Sequence, residues 1–250
     1  MRYARDTEYA ELWRLIDEAE NVVFFGGAGV STGSGIPDFR GSGGLYTEDD
    51  DADERPETIL SYDYLRRSPA KFFEYYKTHM IYPYAAPNEA HFALASLERA
   101  GKLAAIITQN IDGLHQAAGS QNVIELHGSA RRNYCMSCGR EYPIEHIIDS
   151  AGIPRCTRCG GIVRPDVTLY GEALDVEALS RAQEAAEAAD LMIVGGTSLT
   201  VHPASSLVDA FWGEHLVIIN QTPTPYDFSA ELLIRDPIER VLDEVASIGF

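Results

Sequence analysis

Four cysteines carry the plainest chemistry in this chain. Cys135 and Cys138 form one C-x2-C pair, and after 17 residues Cys156 and Cys159 form a second. Four thiolates fill a tetrahedral zinc site and leave no open position, so a metal held there is structural. Gly139 and Gly160 follow the pairs, as tight ligand-bearing turns require. Two disulfides or a redox pair are the other readings of the same residues. A second candidate is His127. An imidazole titrates near pH ~6.5, which suits a general base, although a lone His is often only structural. The third is the glycine loop 26–33, which follows the apolar run Val22-Val23-Phe24-Phe25. Glycines after a strand let the backbone approach a pyrophosphate at a helix N-terminus. Gly27-x-Gly29 matches the start of the dinucleotide fingerprint, but Thr32 stands where the third glycine belongs. No strand-borne acid follows about 20 residues on, where a ribose partner is usual. A strand-to-helix turn without a ligand is the plain alternative. Next to the loop, Arg40 can pair with a phosphate and Phe39 can shield a reactive centre from water. The plain reading makes Phe39 core and Arg40 a surface ion pair.

These residues need elements to hold them. Apolar runs at 22–25, 103–108, 123–126, 191–194 and 216–219 read as strands buried on both faces. Helical patterns at 8–20, 88–100 and 176–189 lie among them. Strands alternating with helices predict an α/β fold with a parallel sheet. Each run ends in polar or glycine residues, including Gln109-Asn110, His127-Gly128, Gly196-Thr197-Ser198 and Asn220-Gln221. Ligands of such sheets sit outside the carboxyl ends of the strands, so five segments point to one crevice. Two stretches break the alternation and read as insertions forming a small second domain. One is acidic at Glu48-Asp49-Asp50-Asp51 and then helical and aromatic; the other holds the cysteines. The acidic segment, through Asp53, is expected to be partly ordered until a ligand binds.

Composition bounds the rest. The 250 residues are 45% apolar and 23% charged, enough for one large domain with a smaller insertion. Twenty basic and 38 acidic residues give a net charge of −18. Such a surface repels phosphate backbones and disfavours nucleic acid, including a zinc-ribbon mode of binding it. It attracts lysine-rich partners, or serves solubility alone. The first 20 residues contain no apolar core of a secretory signal. No run approaches the ~18 apolar residues of a membrane span. The expectation is a cytoplasmic chain without a membrane partner.

Read together, the motifs resemble those of the sirtuins. Residues Gly27 to Arg40, through Ser34-Gly35-Ile36-Pro37-Asp38-Phe39-Arg40, look like the opening signature. Thr108 to His115, Glu125-Leu126-His127-Gly128 and Gly196-Thr197-Ser198-Leu199 look like the next three, in the family's order. The resemblance implies a Rossmann-like doubly wound sheet with an inserted small domain made of a zinc module and a helical module. The expected division is 1–43, 86–131 and 163–250 for the NAD-binding domain, and 44–85 and 132–162 for the small domain. It also implies an NAD-consuming protein-lysine deacetylase, in which the nicotinamide–ribose bond is cleaved and the acyl group passes to ADP-ribose.

Roles follow from the same resemblance. His127 would accept a proton from the NAD ribose, Asn110 would orient the site, and Asp112 with the Ile111 backbone would hold the nicotinamide amide. A carboxylate beside a main-chain N–H suits a carboxamide; a capping loop with a turn at Asp112-Gly113 is the plain reading. Ala28, Thr32, Phe39 and Arg40 would line the phosphate and ribose pocket, and Gln109 would also contact the cofactor. Thr197, Ser198 and Asn220 would bind phosphate and the adenosine ribose, with Asp236 and Pro237 near adenine. Thr168, Tyr170, Gly171 and Glu172 resemble the segment that takes the acyl-lysine peptide as an added strand, with Val201 opposite. Thr168 and Tyr170 depart from the usual aliphatic residue and Phe. Some sirtuins carry a Tyr-x-x-Arg pair that favours succinyl; Tyr76-Lys77-Thr78-His79 lacks the Arg, which implies acetyl or neutral acyl chains. Three other readings compete: a protein mono-ADP-ribosyltransferase using the same pocket, a non-enzymatic NAD or zinc module, and an ordinary dehydrogenase. An intact His127, Asn110 and Asp112 disfavour the second. The shifted glycine and absent ribose acid disfavour the third.

Overall fold

The computed structural model describes residues 2–39, 44 and 54–249. Arg40 and the acidic stretch through Asp53, with what was expected of them, lie outside these residues.

The main sheet has six parallel strands: β1 (Val22–Gly26), β2 (Ala105–Thr108), β3 (Val123–Glu125), β7 (Leu191–Gly195), β8 (His215–Ile219) and β9 (Leu232–Ile234). Their order is β3-β2-β1-β7-β8-β9. Chain order runs outward from β1 in both directions, so the crevice opens between β1 and β7, where the winding reverses. Alternate residues of each strand serve two cores. Val22, Phe24, Ile106, Ile193 and Val217 face one cluster, and Val23, Phe25, Ile107, Val194 and Ile218 face the other. A strand buried on both faces must be apolar throughout, which is why these runs lack polar alternation.

Helices cover both faces. On one lie α1 (Arg2–Glu18), α5 (Glu89–Arg99) and α9 (Ile238–Gly249). Tyr9, Leu12, Leu15 and Ile16 place one stripe of α1 in that core. The other face is covered by α8 (Val176–Ala188), through Ala182 and Ala186. The helix expected over 8–20 thus starts earlier and ends at Glu18. The strand β9 was not anticipated, because three apolar residues before Arg235-Asp236 are too short a run to stand out.

A third core lies apart from these. It joins the helices α2 (Pro56–Ile59), α3 (Tyr62–Arg67) and α4 (Pro69–His79) to a three-stranded antiparallel sheet. That sheet is β5 (Glu141–Pro143), β4 (Gly128–Cys135) and β6 (Val163–Val167), in the order β5-β4-β6. The short helix α7 (Ile144–Ile148) follows β5. Leu60, Tyr64, Phe72, Phe73 and Tyr76 pack there with Cys135, Tyr142, Cys156 and Val163. The two stretches that broke the alternation therefore share one hydrophobic cluster. Strand β4 begins, and the antiparallel β6 ends, next to His127, where Gly128 pairs with Val167.

Candidate active site

The strand ends converge on a cleft of about 1150 Å3. Every site residue anticipated from the sequence, apart from Arg40 and the cysteines, lines it. Ala28, Thr32 and Phe39 come from the loop after β1; Gln109, Asn110, Ile111 and Asp112 follow β2. His127 lies beyond β3, Thr197, Ser198 and Val201 after β7, and Asn220 after β8. Asp236 and Pro237 precede α9, and Thr168, Tyr170, Gly171 and Glu172 follow β6.

The glycine loop is built differently from the helix N-terminus that its fingerprint suggests. Two short 3-10 turns, Ala28–Val30 and Thr32–Ser34, follow β1. The glycines are needed because this loop lies against the one after β7. The Gly29 N–H donates to the Gly196 carbonyl at 2.8 Å. A Cβ on Gly29 would stand 2.7 Å from Gly196 Cα, and one on Gly27 2.7 Å from Thr197 Cβ. Such contacts exclude any side chain.

At the cleft floor a hydrogen-bond chain links two loops. Ser31 Oγ donates to Asp112 Oδ2 at 2.7 Å and accepts from Asn110 Nδ2 at 3.1 Å. Asp112 Oδ1 accepts from the Leu114 N–H at 2.8 Å and so holds the start of α6 (Leu114–Ala118). The anticipated capping role of Asp112 is therefore present together with its place in the cleft. Ser31, buried at 1% exposure, was not singled out from the sequence, although it stands inside the glycine motif.

His127 is half-buried. Its Nδ1 lies 2.9 Å from the Gln109 carbonyl. A carbonyl only accepts, so Nδ1 carries the proton and Nε2 is the basic nitrogen. Burial pushes the pKa of His127 below the ordinary imidazole range, and the bond to Gln109 acts the other way. The ring is therefore neutral at pH ~7. Gly128 follows with φ +73°, and a Cβ there would meet the Asp166 carbonyl oxygen at 2.1 Å. Only glycine permits β4 to leave His127 in this direction.

The residues fit a dinucleotide. Gln109 Oε1 accepts from Thr197 Oγ1 at 3.3 Å, while its buried Nε2 has no partner among the described residues. A buried donor lining a cleft calls for an acceptor such as a phosphate or ribose oxygen. At the far end Tyr9 donates to Asp236 at 2.9 Å and holds that carboxylate in place.

The opposite wall is the segment after β6. The Thr168 N–H donates to the His127 carbonyl at 3.0 Å. Tyr170 is bonded on both sides, to the Leu60 carbonyl at 3.1 Å and from the Tyr62 N–H at 3.0 Å. Glu172 accepts from both terminal nitrogens of Arg164, at 2.6 and 2.8 Å, and from the Leu169 N–H at 2.9 Å. Burial acts to raise its pKa, but these bonds outweigh it and hold the carboxyl below its usual range. Glu172 thus shapes the wall through a side chain already committed to Arg164.

The cysteines lie outside the cleft and meet in one cluster, with all four sulfur atoms within 4.8 Å of one another. The closest pairs are crosswise, Cys135 with Cys159 at 3.5 Å and Cys138 with Cys156 at 3.6 Å. A tetrahedron with Zn–S bonds of ~2.3 Å has edges of ~3.8 Å, so the set fits zinc. Tyr142 donates to Cys156 Sγ at 3.1 Å and orients it. The separations are far from the ~2.05 Å of a disulfide.

Known proteins share this arrangement. The Sir2 family model matches residues 27–203. An NAD-dependent protein deacetylase of Cutibacterium acnes is 54% identical over 94% of this chain and 96% of its own length. One of Clostridium perfringens is 51% identical over 96% of this chain and 99% of its own. A Sir2 variant solved with deacetylated p53 peptide and 3′-O-acetyl ADP-ribose superposes with a TM-score of 0.89. It is 38% identical over 97% of this chain and 98% of that one. A Sir2–p53 peptide–NAD+ structure gives a TM-score of 0.85 at 38% identity, over 96% and 97% of the two chains. With the family model over most of the chain, and relatives of this identity along nearly all of it, the chain belongs to the Sir2 family.

Proposed function

We propose that this chain is an NAD-dependent protein-lysine deacetylase. NAD supplies the nicotinamide–ribose bond that breaks and the ribose oxygen that receives the acyl group. The observation that carries the reading is the main-chain contact that orients His127. Its Nδ1–H is engaged by the Gln109 carbonyl, which leaves Nε2 to take a proton from a ribose hydroxyl. Asp112 and the Ile111 backbone hold the nicotinamide amide, and Asn110 orients the site. Ala28, Thr32, Phe39 and Gln109 surround phosphate and ribose; Thr197, Ser198, Asn220, Asp236 and Pro237 take the adenosine half. The wall of Thr168, Tyr170, Gly171 and Glu172, with Val201 opposite, receives the acyl-lysine. Zinc on the four cysteines keeps the β4–β6 sheet folded and takes no part in the chemistry.

The acyl preference follows from the same wall. Tyr76 lines the cleft with a buried hydroxyl that has no partner among the described residues, and His79 lies one turn on. Neither supplies a permanent cation for a carboxylate, so acetyl and other neutral groups are preferred to succinyl. Faster desuccinylation than deacetylation on matched peptides would refute this.

We place the chain in the cytoplasm. No helix among the described residues is long and apolar enough to cross a membrane, and four thiolates on a metal suit a reducing compartment. The NAD-binding unit is 1–43, 86–131 and 163–250, with the β4–β6 sheet as its seam to the small domain. The test is product stoichiometry with NAD and an acetyl-lysine peptide. Equal amounts of nicotinamide, acetylated ADP-ribose and free lysine peptide support the deacetylase. ADP-ribose attached to protein without deacetylation would make it a transferase instead.

A further inference from the structure

The loop Gly27–Gly35 holds the floor of the cleft with little apolar anchorage of its own. Val30 is fully buried, but Thr32, Gly33 and Gly35 are exposed and Ser34 is half-buried. Helix α5, by contrast, is fixed in the core by Ala90, Ala93, Leu94 and Leu97. The link between the two is Asn88, the residue that caps α5. It is only 5% exposed. Its Oδ1 accepts from the Ala90 N–H at 3.0 Å, which is the cap. Its Nδ2 points the other way and donates to the Val30 carbonyl at 2.8 Å and to Ser34 Oγ at 3.0 Å. These two bonds flank Ser31 and Thr32, two of the loop residues that line the cleft.

Asn88 is held in turn. His91 Nδ1 lies 3.2 Å from the Asn88 N–H and 3.1 Å from its Oδ1. The His91 ring is fully buried and rests on His115 with centroids 4.8 Å apart. His115 belongs to α6, the helix whose first N–H is held by Asp112. The elements behind the Ser31–Asp112 bond are thus also joined at the back, through Asn88, His91 and His115.

We propose that Asn88 is a positioning residue for the NAD-binding loop. One end of its amide caps α5, and the other fixes Ser31 and Thr32 against the cleft. This rests on the deacetylase reading only in naming NAD as the ligand.

The test separates the two ends of the amide. Asn88→Asp and Asn88→Ser both keep a capping oxygen but lose the amide nitrogen that donates to Val30 and Ser34. NAD affinity is measured by titration calorimetry, which needs no turnover. NAD and acetyl-peptide KM are measured separately, and thermal unfolding reports the fold. The expected result is an NAD Kd and KM raised about tenfold, a peptide KM within about twofold, and an unfolding midpoint close to wild type. Ser34→Ala, which removes one of the two bonds, has a smaller effect in the same direction. The proposal is overturned by folded variants that bind NAD like wild type, or by NAD and peptide KM rising together as the midpoint falls, which would make Asn88 a cap alone. A wild-type chain that binds NAD without deacetylating the peptide would sink the functional reading and leave this one standing; one that does not bind NAD sinks both.

Discussion

Mild acid should destabilise this fold, and His115 allows the size of the effect to be worked out. Its ring is 1% exposed, edge-on to Phe24 at 6.4 Å and against His91. Burial, with His91 adding to it, pushes the pKa down to about 3. In the unfolded chain an imidazole titrates near pH ~6.5. Above that pH both states hold a neutral ring and His115 contributes nothing to the pH dependence. Below it the unfolded chain binds a proton that the folded chain refuses, so stability falls until the folded ring also titrates, at about pH 3. Linkage gives a loss of about 2 kcal/mol from this one ring between about pH 7 and pH 5. His91, lowered by burial while Asp112 opposes it, adds a loss of the same sign. Urea unfolding of the zinc-loaded protein at a series of pH values measures the total. His115→Phe isolates the ring, because carboxylates, thiolates and His91 titrate in both chains. The variant should lose about 2 kcal/mol less than wild type over the same interval. Parallel curves would refute the reasoning.

Other outcomes follow from the site. Glu172→Ala leaves the buried Arg164 guanidinium without its carboxylate and should cost about 3 kcal/mol in chemical denaturation; a loss under about 1 kcal/mol would mean the pair is solvated. Chelation of the metal, or Cys156→Ala, should abolish activity together with the β4–β6 sheet, seen as matched losses in circular dichroism and turnover. Loss of activity with the structure unchanged would contradict a structural metal. The acid limb of kcat/KM should fall below the ordinary imidazole range, because burial keeps His127 neutral to lower pH. A limb above pH ~7 would point to another base.

Much of this was legible before the fold was known. The cysteine spacing gave the metal cluster, since two ligand turns need only local sequence. The apolar runs marked five of the six strands of the main sheet, and their polar ends named the residues that line the cleft. What escaped is what depends on distant partners. Ser31 becomes a bridge only because the loop after β2 lies beside it, 81 residues away in sequence. The carboxylate of Glu172 is held by Arg164, an ion pair that no motif marks. The tautomer of His127 is set by a main-chain carbonyl, which no residue pattern reveals. The glycines of the loop looked like a phosphate cradle at a helix end, whereas their immediate cause is the close approach of Gly196.

The central claim is that His127 accepts the proton that allows the acyl group to move. Mass spectrometry of reactions with NAD and an acetyl-lysine peptide, for wild type and His127→Ala at matched concentrations, tests it most directly. The expected result is deacetylated peptide and acetylated ADP-ribose from wild type, and at least a hundredfold less of both from the variant, with its fold and NAD binding retained. A folded His127→Ala chain that deacetylates at the wild-type rate would contradict it.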